Sequence, residues 1–183
     1  MITQTKNTVT SGVEVVLDNC KMALETNLKW LQEAFGRAWL LPRGGQLERI
    51  PQVFTKKGDY ESVLPNDKYT AFSFFIGIEA AVPTEETEAY VRSLYFQKSF
   101  DLIFYMNLKK IDPSQDYYFV EQLNQDILRV LSGCQGIQIQ EIWMEDIREV
   151  YAGMDLTEIT NALLYYPHSG IRYRLFVTYK ENC

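Results

Sequence analysis

Two stretches in the middle of the chain alternate apolar and polar residues with the period of a β-strand. The first spans residues 69–79 and the second spans residues 95–108. The apolar parity consists of Phe72, Phe74, Ile76 and Ile78 in the first stretch, and of Phe96, Phe100, Leu102, Phe104, Met106 and Leu108 in the second. This alternation predicts antiparallel strands with one buried face and one wetter face. The second stretch is long for a strand, so it should bend, bulge or project beyond the core.

Three further segments predict strands. Residues 136–144 alternate through Ile137 and Ile139, and residues 52–55 form a short extended segment. The segment 171–179 places Ile171, Tyr173, Leu175, Val177 and Tyr179 on one face and Arg172, Arg174, Phe176 and Thr178 on the other. Residues 56–59 and 65–68 are rich in Gly, Pro, Asn and Asp, and they predict turns.

Apolar residues at helical spacing predict two principal helices. The first has capping-box spacing at residues 11–14, carries an apolar stripe and stops at Gly36. It forms one long helix, or two joined end to end near Asn19 or Asn27. Its stripe consists of Leu24, Leu28, Leu31 and Phe35. The second opens at Asp112-Pro113 and ends at Gly133. Its apolar positions are Val120, Leu123, Ile127, Val130 and Leu131.

Three segments have no clear period. Residues 37–51 contain two prolines and two glycines, and they predict a long connection. Residues 80–93 form either a brief helix capped by Thr84 or a large excursion between two strands. Residues 145–170 are irregular and mixed in character.

The order of elements predicts the fold class. Helix, strands, helix, strand, strand is typical of an α+β protein: a mainly antiparallel β-sheet with two principal helices packed on one face and long irregular loops. A length of 183 residues fits one domain with its own core, over residues 12–183. The polar, Thr-rich residues 1–11 predict a flexible N-terminal arm.

Charge and composition exclude several classes of function. The formal net charge of −6 argues against a protein that grips nucleic acid sequence-specifically over a basic face. Neither a signal peptide nor an apolar stretch of about 20 residues is evident, so we expect no membrane partner. The three cysteines, Cys20, Cys134 and Cys183, include no CxxC pair, which favours free thiols in a reducing cytoplasm over a disulfide framework or a zinc site.

The sequence contains no common catalytic motif. His168 could act as a general base with Ser169 or Cys183 as nucleophile, but a turn histidine before the last strand is the simpler interpretation. Four acidic residues could ligate a cation, yet their spacing is that of a solvated face. They are Glu141, Glu145, Asp146 and Glu149. We therefore predict a protein that is not an enzyme, with no catalytic residue, cofactor or metal.

Arginines and aromatic residues indicate a candidate subunit interface. Arg172 and Arg174 share one face of a strand and can pair with carboxylates of a neighbouring subunit, or with carboxylates of the same chain. Aromatic residues are numerous and several fall in irregular segments, as is common at interfaces. The candidate interface residues are Arg172, Arg174, Trp39, Tyr90 and Tyr151.

Several stretches together resemble a family of prophage-encoded proteins. They are the predicted helix over residues 24–35, ESVLPND at 61–67, SFF at 73–75, SFDLIFYMNL at 99–108 and YPHSGIR at 166–172. With the element order, they make the chain similar, from about residue 24 onward, to tail terminator (tail completion) proteins of tailed bacteriophages.

The resemblance implies a function as a virion structural and assembly protein. It implies a homo-oligomeric ring, a hexamer in that family, that caps the tail tube and joins it to the head. The implied partners are copies of the chain itself, tail-tube proteins and head-connector proteins, and the implied locations are the cytoplasm of the bacterial host and the virion tail. No functional residue of that family matches a position here.

Two other hypotheses stay open at this point. A hydrolase would place His168 in a concave pocket beside a nucleophile, with a carboxylate behind the imidazole. A monomeric module that binds a peptide or a small ligand would have a discrete apolar cleft and would not self-associate.

Overall fold

A mixed β-sheet organises the chain, with helices on both of its faces. The computed structural model describes residues 12–42, 49–55, 58–84, 93–115 and 119–182. The helices are α1 (Val13–Asn27), α2 (Leu108–Ile111), α3 (Val120–Leu131) and α4 (Ile147–Val150), with a 3₁₀ turn at Asn161–Leu164. The strands are β1 (Glu33–Pro42), β2 (Arg49–Phe54), β3 (Tyr60–Ser62), β4 (Ala71–Gly77), β5 (Val82–Pro83), β6 (Ser93–Asn107), β7 (Ile137–Met144) and β8 (His168–Asn182). The predicted N-terminal arm, residues 1–11, lies outside the described residues.

The sheet is mostly antiparallel, which confirms the predicted α+β class. The strand order is β3-β2-β1-β4-β6-β8-β7, and β5 pairs with β6 beside that path. The pairing of β1 with β4 is parallel, whereas the other pairs are antiparallel. The strands predicted from alternation are present as β4, β6, β7 and β8, and the short segment 52–55 belongs to β2.

The two principal helices pack on one face of the sheet, as predicted; we call it the helix face. α1 contributes Leu17, Cys20 and Leu24 to this core, and α3 contributes Val120, Leu123, Ile127 and Leu131. The sheet meets them with Phe100, Phe104, Tyr173 and Leu175, among others. Burial of each such side chain contributes about 1.5–3 kcal/mol relative to exposure, so this core is the principal source of stability on the helix face.

The opposite face, which we call the loop face, carries a second core. Phe72, Phe74, Ile103 and Tyr105 are covered there by Ile147 and Val150 of α4, by Tyr151 and by Leu164. Strand β4 and the adjacent half of β6 are therefore buried on both faces. The expectation of a wetter face is wrong for this part of the sheet, because residues 145–164 fold back over it.

Helix α1 ends eight residues before the predicted stop at Phe35–Gly36. Leu28 leaves the helical conformation (φ −96°, ψ 89°), and the side chains of Thr26 and Asn27 bond to carbonyls one turn back in the helix. Phe35 is buried in β1 instead. The stripe that predicted a longer helix thus combines buried residues of a helix, a loop and a strand.

The predicted capping box depends on a residue outside the described ones. Ser11 lies outside them, and Gly12 occupies the N-cap position with no side-chain hydrogen bond. The Glu14 carboxylate instead accepts a hydrogen bond from Nη1 of Arg37 at 2.9 Å. This ion pair ties the start of α1 to β1.

The predicted connection over residues 37–51 is mostly strand. β1 and β2 pair antiparallel from Ala38 opposite Val53 to Pro42 opposite Arg49. The pattern is not that of a half-buried strand, because the first part of β1 is buried on both faces while its second part is exposed. Residues 43–48 lie outside the described residues.

Helix α3 begins at Val120 rather than at Asp112. The Asp112 carboxylate accepts bonds from the backbone N–H and the hydroxyl of Ser114, which closes a turn rather than a helix. The predicted apolar positions are nevertheless right: Val120, Leu123, Ile127 and Leu131 are all buried.

Thr84 continues the strand pairing of β5 with β6. Its backbone N–H donates to the carbonyl of Tyr95 at 2.9 Å, directly after β5. The larger part of the segment 80–93 lies outside the described residues, so the choice between a helix and an excursion stays open there.

Candidate subunit interface

The two longest strands, β6 and β8, pair along their whole lengths. Their register runs from Asn107 opposite His168 at one end to Ser93 opposite Asn182 at the other. The cover of the loop face lies over the Asn107 end. At the other end, the described side chains of the loop face are partly or fully exposed. We call this end, residues 93–98 of β6 and 176–182 of β8, the ribbon.

Three exposed apolar side chains share the loop face in and beside the ribbon. Ile78 is 41% exposed, Val82 54% and Tyr95 37%. Strand pairing places Ile78 beside Ser99 and Val82 beside Gln97. Tyr95 lies on the same face of β6 as Ser99 and Gln97, because the three residues occupy alternate positions of the strand. We call Ile78, Val82 and Tyr95 the ribbon patch. Contiguous exposed apolar residues of this kind mark interaction surfaces more often than isolated ones do.

The helix face of the ribbon is partly apolar as well. Leu94 is exposed there, and the rings of Phe96 and Tyr179 stack across the strand pair with centroids 5.9 Å apart. Aromatic cross-strand pairs stabilise antiparallel strands. This pair therefore keeps the ribbon ordered where the cover of the loop face is absent.

Next to the ribbon on the loop face, Arg172 and Arg174 converge on Asp101. Nε of Arg172 donates to Oδ2 of Asp101 at 2.8 Å, and its Nη2 donates to the same oxygen. Nε of Arg174 donates to Oδ1 at 3.3 Å. Asp101 is buried. The prediction that these two arginines share a face is confirmed, and they pair within the chain.

The register of three strands builds this cluster. Arg174 lies opposite Asp101 of β6 and opposite Glu141 of β7, while Arg172 lies opposite Trp143. Both guanidinium groups lie over the indole of Trp143, at 5.3 Å for Arg172 and 5.0 Å for Arg174. Cation–π contacts of this kind contribute about 0.5–2 kcal/mol, more where water is excluded.

The two arginine side chains differ in their solvent exposure and in their remaining contacts. Arg172 also donates from Nη1 to the carbonyls of Glu149 and Ala152, so it fastens the segment after α4, and its side chain is 12% exposed. Arg174 is 33% exposed, and its outer contact is a 3.6 Å ion pair with the exposed Glu141. A groove of about 550 Å³ runs beside both. Arg174 is therefore the member of the pair that can exchange Glu141 for a group on another molecule.

The predicted interface residues do not form one surface. Arg172 and Arg174 lie together, but Trp39 is on β1, three strands from β8, where the Arg37 guanidinium lies 5.6 Å from its ring. Tyr151 is fully buried in the loop-face core and donates its hydroxyl proton to the carbonyl of Val63 at 3.2 Å, so its prediction as an interface residue is wrong. Tyr90 lies outside the described residues.

Sequence reasoning missed the ribbon patch and Asp101. Val82 stands in a segment that is otherwise small or polar, so it gave no periodic pattern. Asp101 did carry a recognisable feature: it places a negative charge at the centre of a long apolar strand. A buried charge needs an oppositely charged partner, and Arg172 and Arg174 were the available pair on one strand face.

His168 has the environment of a structural residue. It is the first residue of β8, as the turn-histidine interpretation predicts, and its ring stacks on Tyr105. Its Nδ1 lies 3.0 Å from the carbonyl of Ala162, and its Nε2 lies 3.0 Å from Oδ1 of Asp67. The adjacent Ser169 lies on the other face of the strand, so the structure does not bring these two side chains together.

Asp67 responds to this environment. The hydrogen bond from His168 lowers its pKa to about 2, with further bonds from Lys110 and Asn107 acting in the same direction and partial burial opposing them. The carboxylate thus anchors the turn over residues 65–68 to the start of β8 and to the residues after β6.

A separate cleft of about 590 Å³ opens between the C-terminal ends of α1 and α3. Its lining mixes apolar and charged residues: Ala23, Asn27, Leu28, Lys29, Trp30, Asp126, Arg129, Val130 and Gly133. The volume is that of a small-molecule site, but the charged rim differs from the apolar cleft that a ligand-binding module predicts.

Among the described residues, neither a metal cluster nor a membrane-spanning helix is found. In this part of the chain, no group of three or more His, Cys, Asp or Glu residues is placed to bind a metal ion. Within the same ranges, none of the helices has the length and apolar character needed to span a bilayer.

Comparison with known proteins assigns no family. No protein-family model matches the sequence, and no curated protein matches it.

Proposed function

We propose that this protein is a non-catalytic assembly subunit that associates with copies of itself. We propose further that the assembly is a ring at the end of a bacteriophage tail, because the sequence resembles tail terminator proteins. The observation that carries the first part is the ribbon patch. Tyr95 of β6 is exposed where the loop face of the β6–β8 pair is open, and the exposed side chains of Ile78, after β4, and Val82, in β5, flank the same part of β6.

The open surface extends beyond the ribbon patch. On the same face of β8, Phe176 follows Arg174, and Trp143 of β7 lies beside the two arginines. A stable interface buries about 800 Å² on each partner and combines apolar anchors with a polar rim. The ribbon patch supplies the anchors, and Arg174 with Glu141 supplies charges for the rim.

Strand β7 offers a second route to association. Among the described strands it pairs only with β8, so its outer edge has unpaired backbone donors and acceptors. Such an edge can accept a strand from another copy. The register irregularity between Ile139 and Glu141 interrupts this edge, which limits the pairing to short segments.

The charge of the chain fits a ring through which DNA passes. A net charge of −6 gives such a ring an acidic character, and an acidic wall does not retain the phosphate backbone. This supports the phage part of the proposal and is independent of the ribbon patch.

Native mass spectrometry and sedimentation velocity over a range of concentrations test the proposal. We expect oligomers whose fraction rises with concentration, and we expect Val82→Glu and Tyr95→Asp to return the chain to monomers. Met22→Glu is a matched control: Met22 of α1 and Val82 are both 54% exposed, and the charge change is the same. Monomers at every concentration, or equal effects of Val82→Glu and Met22→Glu, would contradict self-association through the ribbon.

Negative-stain imaging of the oligomer tests the phage part separately. Closed rings with a central opening support the tail terminator proposal. Dimers or open filaments would still support an assembly subunit but would contradict the ring, because a ring forms only when a heterologous interface closes on itself.

A further inference from the structure

Two cysteines meet where the two principal helices come together. Cys20 lies on the buried face of α1, and Cys134 lies in the turn after α3, partly exposed and packed against the same core. Their side chains are in hydrogen-bond contact. The Cys134 thiol also donates to the carbonyl of Val130, at 3.5 Å.

Neighbouring residues fix this approach from both sides. A Cβ on Gly136 would lie 3.4 Å from Cγ1 of Val16, one helical turn before Cys20. On the other side, Ala23 and Gly133 line the same cleft, three residues after Cys20 and one residue before Cys134. These neighbours therefore bring this part of α1 close to the turn after α3 on both sides of the cysteine pair.

We propose that Cys20 and Cys134 form a reversible disulfide site, oxidised by a low-molecular-weight disulfide such as glutathione disulfide. The site is independent of the proposed self-association. Its product joins the middle of α1 to the turn that follows α3, and so links the two helices of the helix face covalently.

The environment assigns a role to each thiol. The hydrogen bond from Cys20 lowers the pKa of Cys134, against the burial that opposes ionisation. The pKa of Cys20 is raised by its bond to Cys134 and by burial. Cys134 is thus the thiol that attacks first, since it is the more accessible of the two and its lowered pKa favours the thiolate.

The exchange proceeds in two balanced steps. The Cys134 thiolate attacks one sulfur of glutathione disulfide, a mixed disulfide forms and one glutathione thiolate leaves. Cys20 then loses its proton and attacks Sγ of Cys134, which breaks the mixed disulfide and releases the second glutathione thiolate. The two leaving thiolates take up the two protons, so two protein thiols are oxidised while one disulfide is reduced to two thiols.

Incubation with glutathione redox buffers tests the site on the full chain, with Cys183→Ser as the background. We expect the intact mass to fall by two hydrogen atoms with no glutathione retained, and peptide mapping to join Cys20 to Cys134. The melting temperature should rise by about 5–10 °C on oxidation, because the link closes a long loop of the unfolded chain. Reduction with excess dithiothreitol should restore both the mass and the melting temperature.

Single variants separate the two roles. In Cys20→Ala, Cys134 should retain glutathione as a stable mixed disulfide, because the second attack is lost. In Cys134→Ser, Cys20 should remain unmodified. Two outcomes would overturn the proposal: a stable mixed disulfide on Cys134 with Cys20 present, or two free thiols after prolonged oxidation. Each outcome is measured on the chain that retains Cys20 and Cys134, so it does not depend on whether the single variants fold.

Discussion

Asp101 interrupts the most apolar strand with a buried charge, and two arginines neutralise it. Arg172 and Arg174 could be placed on one strand face from their spacing alone, because alternate residues of a strand point the same way. Their partner could not be predicted, since the choice between a neighbouring subunit and the same chain depends on which strand lies beside β8. The register supplies that information by placing Arg174 opposite Asp101.

Removal of the Asp101 carboxylate should be costly. Asp101→Ala leaves Arg172 without its buried counter-ion, and we expect a loss of about 3 kcal/mol in the free energy of unfolding, measured with urea. Glu141→Ala removes a more exposed partner of Arg174 and should cost well under about 1 kcal/mol. Equal losses would show that the buried position of Asp101 contributes nothing.

The contacts of Asp67 predict a loss of stability in acid. Its pKa falls from 3.8 to about 2 on folding, so its contribution is fully present above pH 4 and is lost as the pH falls toward 2. Because the carboxylate is largely exposed, that contribution is about 1 kcal/mol or less. In urea unfolding, Asp67→Asn should therefore have a lower free energy of unfolding than wild type at pH 5. This difference between the two proteins should be smaller at pH 2. A difference that stays constant over this range would contradict the role of the carboxylate.

At the scale of elements, period-two alternation was the most reliable guide. β4, β6, β7 and β8 were predicted near their observed bounds because apolar residues recur at alternate positions in each of them. The helical stripe failed at Leu31 and Phe35, since burial in a loop and a strand happened to fall at helical spacing. β1 was missed because its first residues are buried on both faces and therefore do not alternate.

The turn between α3 and β7 depends on a glycine. Gly136 has φ +77°, and a Cβ there would lie 2.6 Å from the carbonyl oxygen of Thr178 in β8. Gly153 has a similar φ of +87° but open space around its Cα. We expect Gly153→Ala to cost about 1 kcal/mol from backbone strain and Gly136→Ala to cost clearly more, because the backbone of β8 must also move.

Chemical denaturation of the two glycine variants checks this comparison. Thermal denaturation of the same proteins gives a second, independent ranking. Equal free energies of unfolding for Gly136→Ala and Gly153→Ala would mean that the contact with Thr178 relaxes at no cost.

At the scale of the whole molecule, the sequence indicated the class of fold but not how its faces are covered. The two helices on the helix face followed from amphipathic spacing. The loop-face core did not, because residues 145–164 have no period, and their apolar side chains, such as Ile147 and Leu164, reach the sheet from an α-helical and a 3₁₀ turn. The candidate interface depends on where that cover stops, so it too required the structure.

Net charge predicts how self-association responds to salt. Copies that each carry −6 repel one another, and added salt shortens the range of this repulsion from about 30 Å at 0.01 M to about 8 Å at 0.15 M. The oligomer fraction in sedimentation velocity should therefore rise with ionic strength. A fall would instead indicate that opposite charges, such as Arg174 and an acidic neighbour, dominate the contact.

The position of β8 has a consequence for biosynthesis. This strand inserts between β6 and β7, although both are made earlier, so β7 has no partner among the described strands until β8 has left the ribosome. Until β8 is synthesised, one edge of β6 in the nascent chain remains unpaired. Chaperones that shield unpaired strand edges can bind there during this interval. Premature termination within residues 168–182 should yield protein that is degraded rather than accumulated.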